Sequence, residues 1–304
     1  MKNPAAIEKF EKMRMNFEFI DNEQAAPSAG LKVTTETIVA SPDGNKINLR
    51  IIRPDSDEVL PCVYYIHGGG MAVWSCFWGH YRAWGKVMAA QGVAVVMVDF
   101  RNSLVSSSVP EVAPYPAGLN DSISGLKWVS DHASELKVDP TRIIVAGDSG
   151  GGNLTLATCL KLQKEGNLGL IKGAFALCPF ILGRWPDEKY PSTIQNNKIV
   201  LNLNDNTMPI AYGSEAYEAR DPLAWPSFAT AEDLAGLPPI VISVNECDPL
   251  RDEGLAFYRA LLAAGVRARG RQTMGTTHGI EIFPNVCPEI SRETARCIAA
   301  FARD

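Results

Sequence analysis

Between Ile143 and Lys164 a run of β-branched residues gives way to a helical pattern with almost no residues to spare. The junction reads Gly147-Asp148-Ser149-Gly150-Gly151-Gly152-Asn153. A chain that leaves a strand and enters a helix in so few residues must reverse through a very tight turn. Glycines on both sides of Ser149 let strand and helix approach without Cβ clashes. Gly147-x-Ser149-x-Gly151 therefore stands in the strand–turn–helix setting that this pattern needs to present a serine hydroxyl for attack. The helix that follows also aims its first amides at any negative oxygen forming beside the serine. A Walker phosphate loop would need Lys-Ser/Thr where Asn153-Leu154 stand, and a dinucleotide fingerprint would need different spacing in an earlier βαβ unit. Ser149 is read as a nucleophile.

The rest of the chain supplies the sheet such a turn requires. Thr34–Ala40 and Lys46–Arg53 flank Ser41-Pro42-Asp43-Gly44-Asn45, the composition of a hairpin turn. Strands are predicted at Cys62–Ile66, Val93–Val98, Arg142–Ala146, Ile171–Leu177, Pro239–Val244 and Arg267–Gln272. Helices are predicted at Tyr81–Gln91, Gly118–Leu136, Gly152–Lys164, Asp252–Ala264 and Glu289–Arg303, with a further one from about Pro4 to Ile20. Strands alternating with helices, and apolar runs without period-2 alternation, imply an α/β fold whose mostly parallel central sheet is flanked by helices. Phe180–Pro226 breaks this rhythm. It is rich in Trp, Tyr, Pro and Asn and too long for a plain connection, so it reads as an insertion with structure of its own.

Directly after the Cys62–Ile66 strand comes His67-Gly68-Gly69-Gly70. Acyl transfer needs donors already aimed at the oxygen that becomes negative, and backbone N–H groups meet that need without reorganising. Gly69 and Gly70 are the candidate donors here, joined by Gly150, the residue after the serine. His67 is read as a brace for this loop rather than a proton carrier. A serine hydroxyl also needs a base, and the base an orienting acid. Of the four histidines, His80 and His132 read as surface or packing residues. His278 lies in Gly275-Thr276-Thr277-His278-Gly279 after the last strand, and so in the chain order Ser, acid, His. Asp248, at the exit of the Pro239–Val244 strand and followed by Pro249, is the candidate acid. Glu246 and Asp252 compete with it, but Asp252 suits a helix N-terminus better. Asp148 reads as a structural hydrogen-bonding partner.

Met71 and Trp74, just past the glycines, are candidates for a pocket wall, and Phe180, Trp185, Met208 and Tyr212 for a lid over it. Aromatic side chains of an insertion pack against a core more often than they touch a substrate, and that alternative stands beside the lid.

Taken together, His67-Gly-Gly-Gly70, Gly147-Asp-Ser-Gly-Gly151, Asp248-Pro-Leu250 and His278-Gly279 resemble the bacterial hormone-sensitive-lipase-like carboxylesterases, over nearly all of the chain from about Val33. One departure is Phe100-Arg101-Asn102-Ser103, where the commoner pattern has a Tyr-Arg-Leu-Ala-Pro-Glu-type run; it weakens inference about the substrate but not about the mechanism. The resemblance implies an α/β-hydrolase core and a triad of Ser149, Asp248 and His278. It also implies a helical cap formed by the N-terminal segment and the insertion, and no metal or organic cofactor. On this division residues 1–32 are an N-terminal cap segment, 33–179 and 227–304 the catalytic core, and 180–226 the cap insertion. The implied substrate is a small-molecule carboxylic ester. An amidase or peptidase on the same fold, and a ligand-binding protein without catalysis, are the alternatives.

The 304 residues carry a formal net charge of −5, which argues against nucleic acid as a partner. The N-terminus lacks the apolar core of a secretory signal, and no apolar run approaches a membrane span, so no stable membrane association is expected. The seven cysteines form no CxxC pair and read as reduced thiols, pointing to the cytoplasm. A homodimer is left open.

Overall fold

Cys62–Ile66 is apolar throughout because both faces of its strand are covered, and the strand, Leu60–Ile66, is buried at every position. The computed structural model describes residues 12–304. Within them lies an eight-stranded sheet in the order β1-β2-β4-β3-β5-β6-β7-β8. Its strands are β1 (Leu31–Val39), β2 (Lys46–Pro54), β3 (Leu60–Ile66), β4 (Ala94–Asp99), β5 (Val138–Asp148), β6 (Gly173–Leu177), β7 (Ile240–Asn245) and β8 (Ala268–Thr273). The predicted hairpin pairs β1 with β2 antiparallel, Val39 opposite Lys46, and β2 pairs antiparallel with β4. From β4 to β8 every pairing is parallel. The expected α/β-hydrolase fold is present.

The longer helices are α1 (Gly79–Ala89), α2 (Ala117–Asp131), α3 (Gly150–Lys164), α4 (Thr207–Glu218), α5 (Arg251–Ala263) and α6 (Pro288–Arg303). All but α4, which lies in the insertion, pack on the sheet and cover its two faces. One core joins Leu119, Ile123, Leu154 and Phe257 to Tyr64, Val96 and Val145. The other joins Trp84, Val87, Ile298 and Phe301 to Tyr65, Val95 and Phe175. The predicted Gly118–Leu136 helix is in fact two. His132, at φ −104° and ψ 18°, separates α2 from a single turn at Ala133–Leu136. Its ring nitrogen bonds the Trp128 carbonyl, which already accepts the His132 amide. The chain then enters β5 through Lys137 in the left-handed region at φ 52°. Periodicity could not register that break, because apolar spacing continues across it.

Of the helix predicted from Pro4 to Ile20, residues 12–18 are helical; its earlier part lies outside the described residues. No described helix is long and apolar enough to cross a membrane. All seven cysteines are free thiols.

The strand order decides where chemistry can sit. From β3 the sheet grows one way to β4 and the other way to β5, so a crevice opens past the carboxyl ends of β3 and β5. Those ends carry His67-Gly68-Gly69-Gly70 and Ser149, with Ile66 paired to Gly147.

Candidate active site

Ser149 turns β5 into α3 at φ 53° and ψ −116°, a conformation that strains any residue with a Cβ. The turn closes because nothing projects from its flanks. A Cβ on Gly151 would lie 2.0 Å from the Ile66 carbonyl oxygen, and one on Gly147 2.5 Å from that of Gly151. The backbone of Ser149 is pinned as well: its amide donates to Leu177, and its carbonyl accepts from Asn153 and Phe180. The first amides of α3 thus converge beside the serine.

The glycine loop after β3 meets this turn. The position a Gly150 Cβ would take lies 2.7 Å from the Gly70 nitrogen and 2.5 Å from the Met71 nitrogen, so the two backbones are in contact. His67 stacks on Phe100 with ring centroids 4.2 Å apart and lies 3.5 Å from the Asp99 carboxylate. Asp99 in turn accepts from the Cys76 and Ser108 amides. The bracing role read for His67 fits this setting. His80 is buried among Phe17, Trp74, Tyr81 and Phe283. His132 stacks on Trp128.

Asp248 and His278 arrive on two loops stitched together at the carboxyl ends of β7 and β8. Glu246 and Cys247 donate their amides to the Thr273 and Thr276 carbonyls. Asn245 donates to Thr276 Oγ1 and to the buried Glu281 carboxylate. The Asp248 carboxylate is then fixed at both oxygens: Oδ1 accepts from the Leu250 amide at 2.8 Å, and Oδ2 lies 2.8 Å from His278 Nδ1. Asp248 has no exposed surface, whereas Ser149 and His278 each keep 8%. The acid is sealed inside, and the other two keep a little surface. Burial alone would lower the His278 pKa, but the Asp248 charge and the neighbouring Cys178 hold it well above the ordinary histidine value. Of the competing acids, Glu246 accepts from the Gly275 amide, and Asp252, in the first turn of α5, from the Ser192 amide and Arg251. Neither is bonded to His278 in the way Asp248 is.

The insertion is anchored to this end of the sheet. Asn153 of α3 donates to the Phe180 and Ala224 carbonyls. Asn196 reaches the carbonyls of Glu246 and Asp248 at 3.2 and 3.1 Å. Phe180, Trp185 and Tyr212, candidates for the lid, are buried and spend their ring faces on one another and on Trp225. Trp74 packs on Phe17, Trp78 and His80. Met71 is buried at φ 56°. Met208 is placed differently, because its Sδ lies 2.9 Å from where a Gly70 Cβ would stand, directly over the glycine loop.

Three neighbours escaped the sequence reading. Cys178 places its Sγ in a cluster with the Asp248 carboxylate and a His278 ring nitrogen, all within 4.8 Å. Burial pushes its thiol up to about 11 although His278 pulls the other way. Tyr81 contacts the glycine loop from α1. Glu253, in α5, accepts from the Ile181 and Leu182 amides and from Trp185 Nε1 at 2.6 Å. None carries a motif, and their positions follow only from the way the sheet, α1 and the insertion converge.

Glu253 supports a stability prediction. Burial, aided by the Asp248 charge and opposed by its three donors, pushes its carboxyl up to about 8. A carboxyl raised from 4.5 to about 8 in the fold is more readily ionised when unfolded. Its contribution to stability is therefore full below 4.5, declines as pH rises to about 8, and is flat beyond. Glu253→Gln removes that decline, and the constant penalty of setting its amide against Trp185 cancels in the comparison. Between pH 5 and pH 9 the variant's thermal midpoint is expected to gain roughly 5 °C on the wild type. Parallel shifts of the two proteins in differential scanning fluorimetry would count against it.

The fold and these residues define an α/β hydrolase, and the chain belongs to that family: the model of the alpha/beta hydrolase fold matches residues 63–282. Among solved structures it is similar to the esterase Est22, with 59% identity and a TM-score of 0.97, covering 99% of this chain and 89% of that one. It is also similar to brefeldin A esterase, a bacterial homologue of human hormone-sensitive lipase, with 36% identity, a TM-score of 0.86 and coverage of 98% and 85%. The carboxylesterase NlhH of Mycobacterium tuberculosis is 34% identical over 251 residues, 80% of this chain and 74% of that protein. The resemblance to hormone-sensitive-lipase-like proteins is borne out.

Proposed function

We propose that Ser149, His278 and Asp248 form a catalytic triad that hydrolyses small to medium carboxylic esters through an acyl-enzyme. That the chain is a carboxylic ester hydrolase follows from its family and relatives. The observation that carries the finer reading is the 2.8 Å contact between Asp248 Oδ2 and His278 Nδ1 at the same sheet end as the strained Ser149. With Nδ1 committed to Asp248, Nε2 is the atom left to act as base.

In the first half Ser149 Oγ bonds to the ester carbonyl carbon while His278 Nε2 takes its proton. The carbonyl π electrons move onto oxygen, and Gly69, Gly70 and Gly150 N–H groups hold that oxyanion. As the tetrahedral intermediate collapses, the bond to the alkoxy oxygen breaks and His278 returns the proton to the leaving alcohol. In the second half water replaces the serine hydroxyl, and the acid departs with Ser149 restored. The burial of Phe180, Trp185 and Tyr212 supports a scaffolding role for them, while Met208 is proposed to border the bound acyl or alcohol group. The N-terminal segment and residues 180–226 are proposed as the cap.

A structure of Est22 contains p-nitrophenol, the alcohol that p-nitrophenyl esters release, so such esters are suitable probes. Diethyl p-nitrophenyl phosphate is expected to release one equivalent of nitrophenol and leave a diethylphosphoryl group on the Ser149 peptide in mass spectrometry. The enzyme is also expected to prefer p-nitrophenyl butyrate to the matching anilide by orders of magnitude. Labelling at another residue would refute the nucleophile, and preference for the anilide would point to an amidase.

A further inference from the structure

The two halves of the proposed oxyanion hole come from different strands, Gly69 and Gly70 after β3 and Gly150 after β5. Something must fix the gap between them, because a donor displaced by a fraction of an ångström binds a developing charge poorly. Main-chain pairing of β3 with β5 ends at Ile66 and Gly147, short of both sets of donors.

Beyond that point the halves are joined through side chains. The Gly68 amide donates to the Tyr81 hydroxyl at 2.6 Å, and that hydroxyl donates to Asp148 Oδ2 at 2.9 Å. Tyr65 donates to the other oxygen, Oδ1, at 2.8 Å. Gly68 immediately precedes Gly69, and Asp148 immediately precedes Ser149. Tyr65, Tyr81 and His67 have no exposed surface and Asp148 only 1%, so water does not compete for these bonds. The loop is also seated tightly on them: a Cβ on Gly68 would fall 2.3 Å from Asp148 Oδ2 and 2.9 Å from the Tyr81 hydroxyl. The phenol accepts on one side and donates on the other, so its proton is committed to Asp148 and its lone pair to Gly68. Tyr65 touches the same carboxylate but is not bonded to the loop.

We infer that Tyr81 is a positioning residue, whose hydroxyl clamps the glycine loop to the nucleophile turn and so sets the spacing of the oxyanion donors. This rests on the esterase reading above. The hydroxyl touches no reacting atom, and it acts by keeping the Gly69 and Gly70 amides where the oxyanion will form. Its loss is therefore expected to weaken the transition state and leave ground-state binding of the ester alone.

The test compares Tyr81→Phe with Tyr65→Phe. Each removes one hydroxyl from the Asp148 carboxylate in a fully buried setting, but only the first releases Gly68. On p-nitrophenyl butyrate, Tyr81→Phe is expected to lower kcat about 10- to 100-fold, less than outright loss of a donor, with KM within about threefold of wild type. An alkyl trifluoromethyl ketone supplies the second reading. Ser149 Oγ bonds to its carbonyl carbon, the proton passes to His278, and the electron pair rests on an oxyanion in the same site. Its inhibition constant is expected to rise in step with the fall in kcat. Tyr65→Phe is expected to stay within about threefold of wild type in both measures. If Tyr81→Phe does not accumulate as folded protein, Asp148→Ala, which removes the acceptor that orients the phenol, is expected to give the same signature. Near-normal kcat in Tyr81→Phe, equal losses in both tyrosine variants, or a kcat loss with unaltered ketone affinity would each overturn the inference. Failure of the esterase reading looks different, since Ser149→Ala would then keep its activity whatever the tyrosines do.

Discussion

Ser149→Ala is expected to lower kcat on p-nitrophenyl butyrate by about 10⁶-fold, the scale on which losing a triad nucleophile acts. The hydroxyl is the only atom removed. The backbone at φ 53° is equally strained for alanine and serine, and the bonds pinning the turn, to Leu177, Asn153 and Phe180, are all made by main-chain atoms of Ser149. The thermal midpoint is accordingly expected to move little. Whatever rate remains should come from the glycine donors and from water activated by His278, roughly 10³–10⁴ above the uncatalysed reaction. Ester affinity should persist, so the variant ought to bind p-nitrophenyl butyrate, release no burst of nitrophenol, and resist diethylphosphorylation. Activity within tenfold of wild type would remove Ser149 from the mechanism, whatever the merits of the fold.

That the serine stands out in the sequence reflects how local the constraints on its turn are. A strand, a turn needing small flanks, and a helix follow one another within a dozen residues, and each leaves its mark on neighbouring letters. His67-Gly68-Gly69-Gly70 is legible for the same reason. Asp248 and His278 were readable through strand exits and chain order rather than through any local pattern. The strands were legible because burial on both faces demands unbroken apolar runs, and their ends drifted by a few residues where extended backbone runs on past the apolar stretch, as in β5, where Val138 pairs with Leu60 and the register resumes only at Ile143. The insertion was harder. Phe180, Trp185, Met208 and Tyr212 look alike in sequence, yet three of them bury their rings around Trp225 and the fourth lies over Gly70. Nothing in their spacing separates these fates, because they depend on where α3 and α5 hold the base of the insertion. Tyr81 and Glu253 are ordinary helix residues until the fold brings partners more than ten residues distant against them.

Asp248→Asn is expected to lower kcat by about 10⁴-fold while keeping the fold, the loss that follows when the base is held in the wrong tautomer. Both carboxylate oxygens now act as acceptors, Oδ1 for the Leu250 amide and Oδ2 for His278 Nδ1–H. An asparagine offers one oxygen and one amide. With its oxygen toward Leu250, the amide donates to His278 Nδ1, the ring proton moves to Nε2, and the base can no longer accept from Ser149. With its oxygen toward His278, two donors face each other at Leu250, where no water reaches a group with zero exposure. The first arrangement is the less costly, and it is the inactive one. A second consequence follows from charge. In the wild type burial alone would lower the His278 pKa, but Asp248 raises it well above 6.5. The imidazolium therefore persists to higher pH, and kcat/KM should fall as pH drops through that raised value. With the charge gone and the burial kept, the acid limb of the residual activity should move to lower pH. A variant that keeps the wild-type limb and a rate within tenfold would mean that another carboxylate orients the base. Glu246 and Asp252 would then be the acids to replace, although their oxygens are already committed to the Gly275 amide and to Ser192 and Arg251.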